Sequence, residues 1–168
     1  MMRNVKMNRK SNTIRENDSD FKLWRLLDHT RFMIARSREM ELARFGITPE
    51  QSHVLYILST SGGSTTINDI VEITQRQHHS ISTLINRMTK QGLVSKRKDP
   101  HDNRKYEVVI TRKGQELYRR ITQDSIKNTF SCLPDEAKGQ LRKHLKCLLI
   151  RAYEVLGKDI KSRMEEEE

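Results

Sequence analysis

The sequence predicts a mainly α-helical protein with one small β-hairpin, arranged as a winged helix-turn-helix. Three observations support this fold class. Apolar residues recur at helical spacing along most of the chain, residues 66–91 read as two short helices joined by a turn, and two alternating strands follow with an Arg/Lys-rich tip between them. Because a winged helix presents one helix to the DNA major groove, the class points to DNA as partner.

Helix signals divide the first half of the chain. The first helix is predicted over residues 20–45, where apolar residues keep helical spacing without an internal Gly or Pro. Thr48 and Gln51 form a capping box for the second helix, and Thr66 caps a short third one. The fourth helix is predicted over residues 77–91 with a single buried stripe. That stripe consists of Ile81, Leu84, Ile85 and Met88.

The second half begins with the wing. Leu93–Arg97 and Lys105–Ile110 alternate as strands around a polar, charged turn. Thr111 is predicted to cap a fifth helix that reaches about residue 130, and Pro134 to begin a sixth with a leucine-rich stripe. The acidic residues 165–168 are read as a frayed end.

These elements suggest three regions within one structural domain. Residues 1–19 are polar and aperiodic, which is typical of a flexible arm. Residues 46–114 form the winged helix-turn-helix. Residues 20–45 and 115–164 supply the helices expected to hold two subunits together.

Charge is concentrated in the winged region. The chain has 32 Lys and Arg against 22 Asp and Glu, a formal charge of +10, and from Arg76 to Arg120 the count is 12 against 4. Basic charge gathered on one module favours a polyanionic partner. The alternative interpretation is a solvated basic face without a partner.

Other composition data bear on assembly and compartment. The AVILMFWYC fraction is 35%, low enough that a second subunit is expected to cover part of the apolar surface. No run approaches the ~18 apolar residues of a membrane span, and the basic N-terminus lacks the apolar core of a secretion signal, so we expect a cytoplasmic protein. Cys132 and Cys147 fit a reducing compartment, form no disulfide framework or metal spacing, and are expected to pack as small apolar residues.

Five motifs in this order resemble the MarR family of winged helix-turn-helix transcriptional regulators, over residues 21–156. They are G-I-T-P-E-Q from Gly46, S-x-S-x-L-I-N-R-M from Ser80, Gly92-Leu93-Val94, D-P-x-D-x-R from Asp99, and Thr111-x-x-Gly114. The resemblance implies an obligate homodimer with interlaced first and last helices. It further implies binding to short palindromic operators, usually as a repressor. In many members a small molecule, often phenolic, or an oxidant lowers DNA affinity, but the reactive cysteine of the peroxide-sensing branch has no counterpart in the first helix here.

Candidate DNA contacts lie on the fourth helix. Gln77 and Ser80 suit base edges, while Ser82, Thr83 and Arg87 suit phosphate or sugar. The adjacent residues His78 and His79 are read either as DNA contacts or as packing and capping residues. Zinc binding by this pair is disfavoured because adjacent histidines rarely share one ion.

Further candidates lie in the wing. On the family pattern Arg104 enters the minor groove and Asp102 orients it, which agrees with the attraction of Arg to narrow A·T-rich grooves. Lys96, Lys98 and Lys105 flank them and suit phosphates. The alternative is an ordinary solvated turn with a surface ion pair.

A ligand site is a weaker hypothesis. The resemblance places effector pockets near the junction of the dimer and DNA modules, where His29, His53 and Tyr56 can approach one another. The alternative is that these are half-buried packing residues.

Function classes were weighed on motifs. The chain has no Gly-rich phosphate loop, no G-x-S-x-G, no H-E-x-x-H and no paired-carboxylate constellation, so neither an enzyme nor a cofactor is predicted. The expected function is a sequence-specific DNA-binding transcriptional regulator, a repressor that binds a palindromic operator as a homodimer and is released by a small-molecule effector. The alternative is a winged-helix protein-interaction module without specific DNA binding.

Overall fold

The computed structural model describes residues 18–98 and 106–158. The chain divides into two compact units, Met1–Ser125 and Ile126–Glu168. The elements of the described ranges are α1 (Ser19–Ala43), α2 (Pro49–Thr60), β1 (Ser64–Thr66), α3 (Ile67–Thr74), α4 (His78–Lys90), β2 (Val94–Lys98), β3 (Tyr106–Ile110), α5 (Arg112–Arg120), α6 (Asp124–Phe130) and α7 (Asp135–Val155). The predicted class, mainly helical with a small β-hairpin wing, is confirmed. Most of the predicted N-terminal arm and all of the acidic end lie outside the described residues.

The predicted helix starts of α2 and α3 are confirmed by their caps. At α2 the Gln51 backbone N–H donates to the Thr48 hydroxyl at 3.3 Å, and the Gln51 side chain accepts from the Thr48 N–H at 3.0 Å. At α3 the Asp69 N–H donates to the Thr66 hydroxyl, and the Asp69 carboxylate accepts from the Thr66 N–H, both at 3.1 Å. Each reciprocal pair satisfies backbone donors that a helix start leaves open.

The sheet has three antiparallel strands in the order β1-β3-β2. The hairpin pairs Val94 with Ile110 and Lys98 with Tyr106. The short strand β1 pairs with the other edge of β3, Ser64 opposite Val109. The hairpin was predicted, but β1 was not, because three polar residues before a helix cap carry no alternating pattern.

One apolar core lies between α2, α3, α4 and the sheet. Val54, Leu55, Ile57 and Leu58 of α2 are each at most 1% exposed, and Val108 of β3 is fully buried. Burial of this apolar surface is the main favourable term in the stability of the winged region.

The prediction of one fifth helix from Thr111 to about residue 130 is wrong. The chain leaves helical geometry at Ile121, whose ψ is 121°, and α6 begins only at Asp124. A carboxylate on α1 accepts the hydrogen bonds of the chain at this break. Glu41, 6% exposed, accepts hydrogen bonds from the Thr122 hydroxyl, from the Asp124 N–H at 2.8 Å, and from the Ser125 hydroxyl and N–H.

Arg38 completes this cluster of polar groups. Its guanidinium donates to the Glu41 carboxylate at 2.7 Å and to the Thr122 carbonyl at 2.6 Å. Burial alone would raise the pKa of Glu41, but the hydrogen bonds from Ser125, Thr122 and Arg38, with one from the Asp124 backbone, lower that pKa to about 2. Glu41 therefore stays ionised and acts as the N-terminal cap of α6 from a distant helix.

Two long helices leave apolar side chains uncovered. On α1 the exposed residues are Phe21, Leu23, Trp24, Leu26, Leu27, Phe32, Met33 and Met40. On α7, in the second unit, they are Leu145, Leu148, Leu149 and Val155. The stripe predicted on α1 therefore exists as a helical face, but most of it meets solvent in the single chain. None of the described helices combines the length and the apolar character that a bilayer crossing requires.

The last position of the Thr111-x-x-Gly114 motif has no room for a side chain. The Thr111 hydroxyl donates to the Gly92 carbonyl at 2.7 Å and accepts from the Gly114 N–H at 3.1 Å, which brings the start of α5 against the end of α4. A Cβ atom on Gly114 would lie 2.2 Å from the Leu93 carbonyl oxygen. The close approach of two backbones requires glycine here.

Substituting Gly114→Ala is expected to lower the free energy of unfolding by about 2–4 kcal/mol, because the added methyl group meets rigid backbone. Gly139→Ala on α7 is the matched control, since a Cβ there has no heavy atom within 4 Å. It should stabilise by about 0.5–1 kcal/mol through helix propensity. Urea unfolding of both variants measures the difference, and a similar effect of the two would contradict the close-approach argument.

Glu41→Gln is expected to cost about 2–4 kcal/mol at neutral pH, because it removes the charge that Arg38 and the α6 cap require. Glu39→Gln is the control on the same helix. Its carboxylate pairs with Arg36 at 2.6 Å but both side chains are more than half exposed, so a change of at most about 0.5 kcal/mol is expected.

The difference between the native chain and Glu41→Gln should depend on pH. A carboxyl group whose pKa is lowered in the folded state stabilises the fold fully at pH values above its unfolded-state pKa of 4.5. That stabilisation is lost as the pH falls towards the folded-state pKa of about 2. Urea unfolding at pH 7, 5 and 4 should show the gap narrowing at the acid end. A difference in the free energy of unfolding that stays constant with pH would mean that the charge of Glu41 does not stabilise the start of α6.

Candidate nucleic-acid interface and adjoining cavity

Helix α4 has one face in the core and one in solvent. Its predicted apolar stripe, Ile81, Leu84, Ile85 and Met88, is confirmed, each member being at most 6% exposed. The opposite face and the preceding residue present the predicted DNA contacts. Gln77, His78, His79, Ser80, Thr83 and Arg87 are exposed, while Ser82 is half-buried. For His78 and His79 this exposure removes the interpretation as core packing residues.

The C-terminal end of α4 is fixed by a buried glutamine. Gln51, 2% exposed, donates from Nε2 to Oε1 of Gln91 at 2.6 Å, and the Lys113 Nζ donates to the Gln91 carbonyl at 2.7 Å. Gln91 follows the last residue of α4, so α2 and α5 both hold the C-terminal end of α4. The sequence indicated only the capping role of Gln51, because a contact 40 residues away leaves no local pattern.

The first wing strand adds cations beside α4. Lys96, Arg97 and Lys98 are exposed, and the Lys96 Nζ donates to the Asn86 side chain on α4 at 2.6 Å. Arg97 pairs with Glu107 of β3 at 2.7 Å. The strand that carries Lys96 is thus tied to the helix beside it. The predicted wing-tip residues Asp102, Arg104 and Lys105 lie outside the described residues.

Arg76 is a cation beside α4 that the list of predicted DNA contacts missed. It follows Gln75, whose φ of 53° makes the left-handed turn between α3 and α4. The Arg76 guanidinium reaches the Glu50 carboxylate of α2 at 3.2 Å, with side-chain exposures of 52% and 37%. The charge count from Arg76 to Arg120 included this residue, but its position facing α2 was not readable from spacing.

A hollow of about 290 Å³ lies between α1, α2 and α5. Its polar lining includes Arg38, Ser52, His53, Tyr56 and Tyr118. The rings of His53 and Tyr56 lie 6.4 Å apart between centroids. The structure thus brings together two of the three residues predicted for a ligand site.

The third residue, His29, is not part of that hollow. It lies on the first half of α1 with Trp24 and Phe32, around a separate open depression. Helix α1 is continuous between His29 and Arg38, so nine residues, on the order of 13 Å of helix, separate the two positions.

Two side chains of the hollow have shifted pKa values. Partial burial lowers the pKa of His53, and the nearby charge of Arg76 lowers it further. Burial raises the pKa of Tyr118, as does the neighbouring Tyr56, while Arg38 opposes the shift. At neutral pH the hollow therefore contains a neutral imidazole, a neutral Tyr118 hydroxyl and one guanidinium.

Both cysteines are free and exposed. The expectation that Cys132 and Cys147 pack as apolar residues is wrong for the single chain, because Cys132 lies exposed in the turn between α6 and α7 and Cys147 lies on the exposed surface of α7. Within residues 18–98 and 106–158, no group of three or more His, Cys, Asp or Glu side chains is placed to hold a metal ion.

The fold and the basic surface define a winged helix-turn-helix protein. A short helix, a left-handed turn, a second helix with one solvent face and an antiparallel hairpin follow in this order, with cations on the helix and on the first wing strand. Residues 45–105 match the model of the MarR family. The predicted resemblance to MarR-family transcriptional regulators is thereby confirmed. No curated protein matches the chain by sequence.

Several solved structures are similar to this chain. AbsC, a MarR family transcriptional regulator from Streptomyces coelicolor, is 26% identical with a TM-score of 0.76, over 84% of this chain and 97% of its own. MepR of S. aureus in complex with DNA is 26% identical with a TM-score of 0.66, over 76% and 94%. The organohalide-sensing transcriptional regulator RdhR in its 2,4-dichlorophenol bound form is 22% identical with a TM-score of 0.72, over 88% of both chains.

Proposed function

We propose that this protein is a cytoplasmic, sequence-specific DNA-binding transcriptional regulator that binds a palindromic operator as a homodimer and acts as a repressor. The observation that carries the proposal is the two-faced α4. Its apolar stripe is buried, its other face offers short polar and cationic side chains, and Lys96 of the wing is held beside it. The DNA complex of MepR, which shares the fold, supports DNA as the partner.

The division of roles follows from side-chain chemistry. Gln77, His78 and Ser80 at the start of α4 suit base edges in the major groove. Thr83 and Arg87 on the flank of α4, with Lys98 on the wing, suit phosphate oxygens. His79, Ser82, Lys96 and Lys105 extend this phosphate-binding set, and Asp102 orients Arg104 in the flanking minor groove.

A homodimer is supported by the uncovered apolar faces. Helix α1 exposes Trp24 at 57%, Leu26 at 63% and Phe32 at 56%. Contiguous apolar surface of this kind on a single chain marks an interaction site. We propose that residues 20–45 and 115–164 form the dimerisation region, which places two copies of α4 on successive major grooves about one helical turn apart.

The hollow beside His53 suits a small aromatic effector. Its volume of about 290 Å³ is close to the lower end of ligand pockets. Tyr56 and Tyr118 offer aromatic walls, and the Arg38 guanidinium complements a phenolate or carboxylate. The dichlorophenol complex of RdhR supports the class of ligand. A ligand that prefers the DNA-free conformation would release the operator.

The proposed function predicts tight, salt-dependent binding to the DNA upstream of the protein's own gene. If a dimer neutralises roughly 6–10 phosphates, log affinity should fall with log salt concentration at a slope of about −5 to −9. Fluorescence anisotropy with a scrambled duplex as control should give at least ~10³-fold preference for the operator. Equal binding to both duplexes would contradict sequence specificity, and no binding to either would favour the protein-interaction module.

In the same assay Arg104→Ala should weaken operator binding without altering dimerisation or the melting temperature. Arg142→Ala on α7 is the charge-matched control and, once its dimerisation is verified to be unchanged, should leave the affinity within about twofold, because it lies outside the proposed DNA contacts. Loss of dimerisation in Arg104→Ala would mean that the wing assignment is wrong.

The effector proposal predicts that 2,4-dichlorophenol lowers operator affinity, and that His53→Ala abolishes this response. His29→Ala is the matched control, since His29 lies outside the hollow and should respond like the native chain. Titration of the ligand against a preformed protein–DNA complex measures the release. Equal responses of the two variants would place the effector elsewhere, and no response of the native chain would contradict a phenolic effector.

A further inference from the structure

A second polar hollow borders α4 on the side that faces α2. It has a volume of about 310 Å³. We call it the basic hollow, and its polar lining consists of Glu50, Arg76, His79, Ser80, Thr83 and Arg87. Two guanidinium groups, an imidazole and two hydroxyls are the donors that bind phosphate oxygens in protein–DNA complexes. One carboxylate, Glu50, stands among them.

The contact between Glu50 and Arg76 is a weak one. A single guanidinium nitrogen meets a single carboxylate oxygen at 3.2 Å, and both side chains are more than one third exposed. Elsewhere Arg97 meets Glu107, and Arg38 meets Glu41, at 2.7 Å. Among the described residues the Arg76 guanidinium donates hydrogen bonds to Glu50 alone. An exposed pair of this geometry exchanges partners readily.

Glu50 does not depend on Arg76 to remain in place. Burial alone would raise the pKa of Glu50, but hydrogen bonds from its own backbone N–H and from Thr48, with the charge of Arg76, lower it. Glu50 lies in the first turn of α2, where the helix dipole favours a negative charge. The carboxylate is therefore anchored to α2, while Arg76 is the partner that can move.

We propose that Glu50 is a built-in competitor for DNA. In the free protein the Glu50 carboxylate pairs with Arg76 inside the basic hollow. On DNA a backbone phosphate enters the hollow and replaces the carboxylate as the partner of Arg76. This inference rests on the proposed DNA-binding function and adds to it a residue that sets the affinity for DNA. Because a phosphate contact carries no sequence information, the competition weakens binding to every duplex and suppresses non-specific binding.

The exchange is favourable on DNA for a physical reason. A phosphate in the basic hollow meets Arg87, Ser80 and Thr83 in addition to Arg76, whereas the Glu50 carboxylate contacts Arg76 alone among them. The released carboxylate then repels the neighbouring phosphate. The first effect favours the exchange and the second opposes it, and both act on any duplex whose phosphate reaches the basic hollow.

The decisive variant is Glu50→Gln, which keeps the side-chain shape and removes the charge. Affinity for operator and for scrambled duplex should both rise by roughly 5- to 30-fold per dimer, and the salt slope should steepen by about 1–2. Glu72→Gln on α3 is the matched control for a change in net charge, and its effect should be within about twofold. Arg76→Gln should weaken binding to both duplexes, and in that background Glu50→Gln should have at most a small effect.

Anisotropy titrations at several salt concentrations measure these affinities, and melting curves verify that each variant is folded. Stronger binding of Glu50→Gln that exceeds Glu72→Gln and disappears in the Arg76→Gln background supports the inference. Unchanged binding, or an effect equal to that of Glu72→Gln, overturns it. Weaker binding also overturns it, since Glu50 would then orient Arg76 for DNA. If the native chain binds no duplex, the proposed function fails, and this inference fails with it.

Discussion

Burial of one face of α4 is the constraint on which the rest of the winged region depends. Four apolar side chains set the rotation of this helix about its axis, and that rotation decides which polar residues face solvent. Gln91 at its C-terminal end is held by Gln51 and Lys113, and Asn86 holds Lys96 of the wing. The orientation of the cationic surface is therefore a consequence of core packing.

Buried and half-buried carboxylates organise the remaining geometry. Glu41 of α1 caps the start of α6. The same carboxylate pairs with Arg38 and holds it at the edge of the hollow that His53 lines. Glu50 performs a related task at lower burial, next to the start of α4. The contacts of Glu41 and Glu50 differ in how easily they are exchanged. A carboxylate that accepts several hydrogen bonds is fixed, whereas one that shares a single exposed contact is exchangeable.

Local chemistry accounts for what could be predicted from the sequence. Thr48, Gln51, Thr66 and Asp69 form caps with partners three residues away, and the α4 stripe is a pure periodicity signal, so both were predicted correctly. Partners distant in sequence were not predictable. At the break after α5 the hydrogen-bond acceptor is Glu41, some 80 residues earlier, so the polar residues 122–125 were not recognised as the start of a new helix.

In the candidate site, too, local patterns could be predicted and contacts between distant residues could not. The exposed residues of α4 followed from the stripe, whereas the separation of His29 from His53, and the contact of Arg76 with Glu50, depend on how α1, α2 and α4 are arranged in space.

The start of α4 carries a further consequence. Its N-cap residue, Gln77, makes no side-chain capping hydrogen bond, and its first turn has no acidic residue. Within the described chain the backbone N–H groups of His78 and His79 thus depend on water. A missing cap forgoes about 1 kcal/mol of helix stability. The exposed first turn of α4 therefore relies on solvent for its backbone hydrogen bonds, and the removal of that water contributes to the free energy of any contact made there.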